Sequence, residues 1–236
     1  MKMSIRRRML LQVSGFPMKP AEYNSPERFD SSGEFVAGST GWFKIELQGA
    51  SGAGGTYSTY IKDTPLQNLA KQCTSGGGGG GGGCAVVSVR LNKNDRITFT
   101  IGDSGYDCTA SVDSSVSDED DRYLKVTSGG KGGNGDAQNQ TVGKGGKGGN
   151  ASGGDNNYNG YDGKDGVNGS PNAYLLGSAG VVPEGGAGGV SAYSDGQNGG
   201  KGGGHTGEGD VTYYYYGPQS GKKGFIRIYE GKTNVD

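Results

Sequence analysis

Gly76 to Gly83 form a run of eight consecutive glycines, and no other feature restricts the fold of this chain as strongly. Such a run has no side chains to bury, and glycine loses more backbone freedom on ordering than any other residue. It becomes ordered only where its own N–H and C=O groups find partners, because backbone polar groups taken out of water must be paired. Related tracts follow. Gly129-Gly130-Lys131-Gly132-Gly133, Gly143-Lys144-Gly145-Gly146-Lys147-Gly148-Gly149, Gly185-Gly186-Ala187-Gly188-Gly189 and Gly199-Gly200-Lys201-Gly202-Gly203-Gly204 repeat Gly-Gly-X, and Gly160, Gly163, Gly166 and Gly169 keep a strict interval of three. Glycine supplies 52 of 236 residues and hydrophobic residues only 31%, so an ordinary apolar core cannot extend through the whole chain.

Three residues per turn is the period of the polyproline II helix, which makes no internal hydrogen bonds. The reading that orders these tracts is therefore a bundle of polyglycine II helices, in which glycine faces allow close approach and amides bond sideways to neighbouring carbonyls. The competing reading is a flexible glycine-rich linker. Two features oppose it: irregular inserts separate the tracts, and segments that read as paired strands enclose them. Collagen is excluded by the lack of an unbroken Gly-X-Y repeat and by a total of 7 prolines.

The strand signals are strict alternations. Phe43, Ile45 and Leu47 share one face of 42–48 while Lys44, Glu46 and Gln48 share the other. Residues 85–91 and 96–101 read as two strands of a hairpin turned by Asn92-Lys93-Asn94-Asp95. Residues 224–230 alternate again and are expected to pair with the first strand. The predicted fold class is mainly β and irregular: a small antiparallel framework enclosing polyglycine II helices, spanning residues 33–236.

Residues 1–32 read as an attachment segment and linker. Ile5, Met9 and Leu10 fall on one face of a short helix, with Arg6, Arg7 and Arg8 mostly elsewhere, while Pro17, Pro20 and Pro26 favour extended chain. Ile5, Arg6, Arg7, Arg8, Met9, Leu10 and Leu11 are the residues expected to dock on a partner, with a frayed charged tail as the alternative. The basic start resembles a signal peptide, but its apolar part stops at Gln12 and no small-residue cleavage site follows.

A formal net charge of -1, from 23 Lys and Arg against 24 Asp and Glu, provides no field for nucleic acid. No apolar run approaches the roughly 20 residues of a membrane helix. With one histidine, His205, and no nucleophile elbow, Walker loop or paired-carboxylate setting, no catalytic constellation is legible, and no metal or cofactor is expected. Cys73 and Cys84 flank the octaglycine and Cys108 stands alone; either a 73–84 disulfide or free buried thiols fit. Asp113, Asp118, Glu119, Asp120 and Asp121 form an acidic insert without calcium-loop spacing, read as a solvated loop. The binding candidates are among the 14 tyrosines: Tyr158, Tyr161, Tyr174 and Tyr193 lie in the inserts, and Tyr213, Tyr214, Tyr215 and Tyr216 stand in a row before Gly217-Pro218. Tyrosine offers large contact area with a polar tip; capping of the glycine helices is the equal alternative.

The series Gly33-Glu34-Phe35-Val36-Ala37-Gly38, the strand ending Leu47-Gln48-Gly49-Ala50-Ser51-Gly52-Ala53-Gly54-Gly55, the octaglycine leading into Val86-Val87-Ser88-Val89, the strand end Thr98-Phe99-Thr100-Ile101-Gly102 and the closing Gly224-Phe225-Ile226-Arg227-Ile228-Tyr229 resemble the glycine-rich domains of bacteriophage tail and fibre proteins. They are also similar to the tip adhesins of long tail fibres. The resemblance covers about residues 33–236, and long polar inserts such as Ser111 to Arg122 depart from it. It implies a non-enzymatic virion structural protein, assembled in the host cytoplasm and exposed outside the cell. Its partners would be other fibre, tail or capsid proteins, further copies of itself, as a trimer among other states, and a bacterial surface glycan or outer-surface protein. A head fibre, decoration or filament scaffold without a receptor is the alternative.

Overall fold

The computed structural model describes residues 19–62, 70–167, 172–173, 186–191, 199–202, 204–206 and 214–232. Their regular elements are strands, with no helix among the described residues. In chain order these are β1 (Glu27–Phe29), β2 (Gly33–Val36), β3 (Gly41–Gln48), β4 (Ser58–Lys62), β5 (Ala70–Thr74), β6 (Cys84–Leu91), β7 (Arg96–Thr100), β8 (Cys108–Asp113), β9 (Arg122–Val126), β10 (Ala151–Ser152), β11 (Asn156–Tyr158), β12 (Asn172–Ala173), β13 (Gly204–Thr206), β14 (Tyr214–Tyr216) and β15 (Phe225–Glu230). Two antiparallel sheets of five strands carry the core, in the orders β1-β15-β3-β6-β11 and β10-β9-β8-β7-β2. Smaller sheets pair β12-β5-β4 and β13-β14.

Alternation explains why the two large sheets face each other. Phe43, Ile45 and Leu47 of β3, Val87, Val89 and Leu91 of β6, and Ile226 and Ile228 of β15 project from the first sheet. Ile97 and Phe99 of β7, Ala110 and Val112 of β8, and Leu124 and Val126 of β9 meet them from the second. All belong to one buried cluster, the packed layer of a two-sheet sandwich. β15 pairs with β3 as the alternation predicts, Ile228 opposite Ile45 and Ile226 opposite Leu47.

Three expectations change. β6 and β7 are not a hairpin: β6 pairs with β3 and β11, β7 with β2 and β8. The tight reversal over Asn92–Asp95, with Asn94 at φ 76°, carries the chain from one sheet to the other, so that Leu91 and Ile97 bury against each other's layer. A turn signal fixes that the chain reverses, but not whether the flanking strands bond edge to edge or face to face. Second, residues 23–29 are no mere linker: β1 is an edge strand on β15, with Phe29 opposite Ile226, and Tyr23 bridges to Gly231. Phe29 and Phe35 pack on the core, and Phe29 also contacts Phe99 at 5.1 Å between ring centroids. Third, the strands do not surround the glycine tracts. Gln48, Cys84 and Phe225 are level in one sheet, and Cys108, Val126 and Ala151 are level in the other. The tracts continue from those ends, so they are stacked on one end of the sandwich.

The tracts bond laterally in a closed pattern. Segment 75–83 runs in the centre. It donates to three neighbours, through Gly77 and Gly80 to Gly133 and Gly130, through Gly78 and Gly81 to Lys164 and Tyr161, and through Gly79 to Gly200. It accepts from three others: Gly52 and Gly55 donate to Gly80 and Gly77, Gly146 and Gly149 to Gly78 and Gly81, Gly186 and Gly189 to Gly76 and Gly79. The surrounding segments also bond to one another in a ring, through Gly129 to Ala50, Gly130 to Lys147, Gly163 to Gly146, Lys164 to Ala187, Gly199 to Gly189 and Gly200 to Gly52, each donor named first. Donors repeat every third residue, and burial follows: Gly143, Gly146 and Gly149 are buried while Lys144, Lys147 and Asn150 are exposed.

This pattern accounts for an all-glycine centre. A Cβ on Gly79 would lie 2.1 Å from Gly52 O, on Gly80 1.9 Å from Lys147 O, and on Gly81 2.4 Å from Val190 O, three successive residues aimed at three different neighbours. Peripheral segments face outward once per three residues, and there Lys131, Lys144, Lys147, Ala187 and Val190 stand. Stacked sheets are held about 10 Å apart by side chains, whereas bonded backbones lie about 4.8 Å apart. Where side chains vanish, chains from opposite sheets close to bonding distance: Gly49 and Gly52 follow β3, Gly129 and Gly130 follow β9, and Gly129 N donates to Ala50 O at 2.9 Å.

Candidate binding surfaces

Two exposed surfaces carry clustered aromatic and polar side chains. The first is the rim of the glycine lattice. Segments 143–150 and 159–167 run antiparallel, and their outward residues form a repeating ladder. Asp165 accepts from Gly145 N at 2.7 Å and from Lys144 Nζ at 2.7 Å; Asp162 accepts from Gly148 N at 2.8 Å and from Lys147 Nζ at 2.6 Å. One carboxylate oxygen thus serves a backbone amide on the outer side of the lattice, and the other a lysine. The lysine ammonium and the amide hold both carboxyls below the ordinary aspartate range. The ladder is solvent-exposed, so its ion pairs contribute little on their own.

Tyr161 stands beside this ladder, 61% exposed, and its N–H donates to Val190 O at 2.9 Å. Tyr158 sits on β11 opposite Cys84 and is 37% exposed. Tyr214, Tyr215 and Tyr216 form β14, paired with β13 from Thr206 to Gly204. Tyr174, Tyr193 and Tyr213 lie outside the described residues, as do Ile5, Arg6, Arg7, Arg8, Met9, Leu10 and Leu11. Of the tyrosine candidates, Tyr158 and Tyr161 alone have described side chains, and both are exposed on the glycine side of the sandwich.

The second surface is the outer face of the β10-β9-β8-β7-β2 sheet. Tyr123 of β9 is 61% exposed there. Beside it Ser111, Asp113, Asp121 and Arg122 help to line a shallow depression of about 410 Å³. Sequence reading passed over this region because β8 and β9 lie in and beside the stretch taken as a polar insert. Their inward residues, Ala110, Val112, Leu124 and Val126, alternate with Thr109, Ser111, Tyr123 and Lys125, a pattern diluted by small and polar residues.

The acidic insert departs from a purely solvated loop. Asp120 is 6% exposed. It accepts from Arg90 N at 3.0 Å and Arg90 Nε at 2.9 Å. Asp121 accepts from Ser114 N at 2.8 Å. The loop therefore latches the end of β8 onto β6 of the opposite sheet. Cys84 and Cys108 are free and buried. Burial, with the nearby Glu46 carboxylate, pushes the Cys84 thiol up to about 12, and burial also raises Cys108. The side chain of Cys73 lies outside the described residues.

No known protein-family model matches the chain, and no curated protein matches it.

Proposed function

We propose that this chain is a non-enzymatic virion structural protein, a phage fibre or tip adhesin that docks to the particle through its N-terminal segment and contacts the bacterial surface through residues between its glycine tracts. In this reading the laterally bonded segments are polyglycine II helices, and their role is mechanical: a rigid body that needs little apolar core and presents its inserts at fixed positions. The observation that carries the reading is the closed ring of bonded segments around Gly76 to Gly83, together with the order of strand and glycine motifs described in the sequence. Rigidity suits an adhesin because contact residues held in place lose less entropy on binding.

The alternative is a head fibre, decoration or filament scaffold with no receptor, for which the same rigid body suffices. Replacing Tyr213 to Tyr216 together by Ser separates the two. Particles that assemble normally but no longer adsorb to host cells support the adhesin. Unchanged adsorption by correctly assembled particles refutes receptor contact through that row. Deleting residues 2–12 tests docking, and incorporation at the wild-type level refutes it.

A further inference from the structure

We propose that the outer face of the β10-β9-β8-β7-β2 sheet binds an extended, neutral oligosaccharide, with Tyr123 as the stacking platform. Register sets the geometry. Glu34, Thr98, Ser111 and Tyr123 are successive partners across β2, β7, β8 and β9, so they form one transverse row on the exposed face. Adjacent strands lie about 4.8 Å apart, an advance close to that of one pyranose unit in an extended chain. A second row, Thr100, Thr109, Lys125 and Ser152, runs parallel to it. The two rows present hydroxyls that both donate and accept, as sugar hydroxyls require.

The ligand class follows from what this face lacks. Its basic groups are engaged: Arg96 pairs with Glu34 at 2.6 Å and Lys125 with Asp107 at 3.0 Å, while Arg122 donates to the backbone carbonyls of Glu119 and Asp121. Among the described residues no row of free cations is left to neutralise a nucleic acid or a polyanionic glycan. Of the large apolar side chains facing this surface Val36 is exposed at 43%, at the opposite edge from Tyr123, and this is too sparse for the apolar centre of a protein interface. What is present is an aromatic ring at the mouth of a shallow depression of about 410 Å³, flanked by hydroxyls and by the polar side chains of Asp113, Asp121 and Arg122. A ring to stack on and polar groups to orient hydroxyls are the two things an uncharged sugar needs. This inference stands on the second sheet alone and does not depend on the role proposed for the glycine tracts.

The test is titration of the isotope-labelled full chain with cellohexaose and chitohexaose, both neutral and extended, and with a heparin hexasaccharide as the anionic comparator, followed by backbone amide shifts. The expected result is saturable shifts at Thr98, Ser111 and Tyr123 with at least one neutral oligomer. Tyr123→Ala should weaken that binding about tenfold, as loss of a stacking contact implies, and Tyr123→Phe should largely retain it. Ser111→Ala should weaken it too, and Tyr161→Ala should leave it unchanged. Amide shifts away from the row check that each variant is folded. No shift in this row with either neutral oligomer at about 10 mM, tenfold above a 1 mM Kd, overturns the proposal. So does binding that survives Tyr123→Ala, or preference for heparin. Because the Tyr213 to Tyr216 variant changes none of the residues named on this face, failure here and failure of the adhesin reading are distinguishable.

Discussion

Asp162 Oδ1 accepts the backbone N–H of Gly148 at 2.8 Å, and three residues along in each segment Asp165 Oδ1 does the same for Gly145 at 2.7 Å. On the outer side of this peripheral glycine segment, among the described residues, an aspartate of the neighbouring segment takes the place of a further backbone carbonyl. The lysines that alternate with these glycines neutralise the second oxygen of each carboxylate.

A pH dependence follows. Both aspartates titrate below the ordinary value of 3.8. Since the native value is depressed, their stabilisation is fully present above the unfolded value and is lost as pH falls through the lower native one. The amide resonances of Gly145 and Gly148 should therefore move together in an acid titration with midpoints below 3.8, while those of Gly130 and Gly80, bonded only to backbone, should not. Midpoints at or above that value would contradict the ladder.

Gly79→Ala should be strongly destabilising, because the new Cβ meets Gly52 O at 2.1 Å and backbone on both sides is held by the lattice. Overpacking costs about 1–3 kcal/mol and occasionally more, and this site has no side chain that can yield, so the upper end is expected. Gly38→Ala, where a Cβ meets nothing within 4 Å, should change stability by no more than about 0.5 kcal/mol. Chemical denaturation of both variants checks this; equal losses would show that the central segment is looser than its contacts indicate.

Asp120→Ala removes a buried carboxylate that pairs with Arg90 across the two sheets. Asp120 is nearly buried and bonded to both the backbone and the side chain of Arg90. Removing one member of a buried ion pair is strongly destabilising, and a loss of about 3 kcal/mol is expected. Asp118→Ala, on the exposed part of the same loop, should lie within about 0.5 kcal/mol of wild type. Thermal unfolding of both variants decides whether Asp120 is a latch or one more loop carboxylate.

The thiols of Cys84 and Cys108 should resist alkylation in the native protein at pH 8, since burial keeps them protonated and out of reach. Peptide mapping after iodoacetamide treatment should show both unlabelled until denaturant unfolds the chain. Rapid native labelling of Cys84 would mean that the junction between sandwich and lattice opens readily.

The strands β3, β6, β7 and β15 were legible because their large apolar residues alternate strictly, and the pairing of β15 with β3 was legible because their alternating faces match, Ile228 opposite Ile45 and Ile226 opposite Leu47. β8 was obscured by Ala, Ser and Thr at alternating positions, β9 by its place directly after the acidic run, and the Asp120 latch by its place within that run of carboxylates. Nothing in the spelling of an acidic loop marks which carboxylate turns inward, since the partner, Arg90, is 30 residues away.

The sequence alone determined that the apolar β framework would be small and that the glycine tracts, if ordered, must be held by their own amides, because both follow from which side chains are present. It also marked the outward positions, since the lysines of the Gly-Gly-X tracts stand where no neighbour presses. Tertiary structure alone decided that the Asn92–Asp95 reversal crosses between sheets, that segment 75–83 is the one surrounded on every side, and that Tyr123 shares a row with Ser111 and Thr98. Those outcomes depend on which distant segments meet, and glycine, which bonds equally well to any backbone, carries no side-chain information that selects its partner.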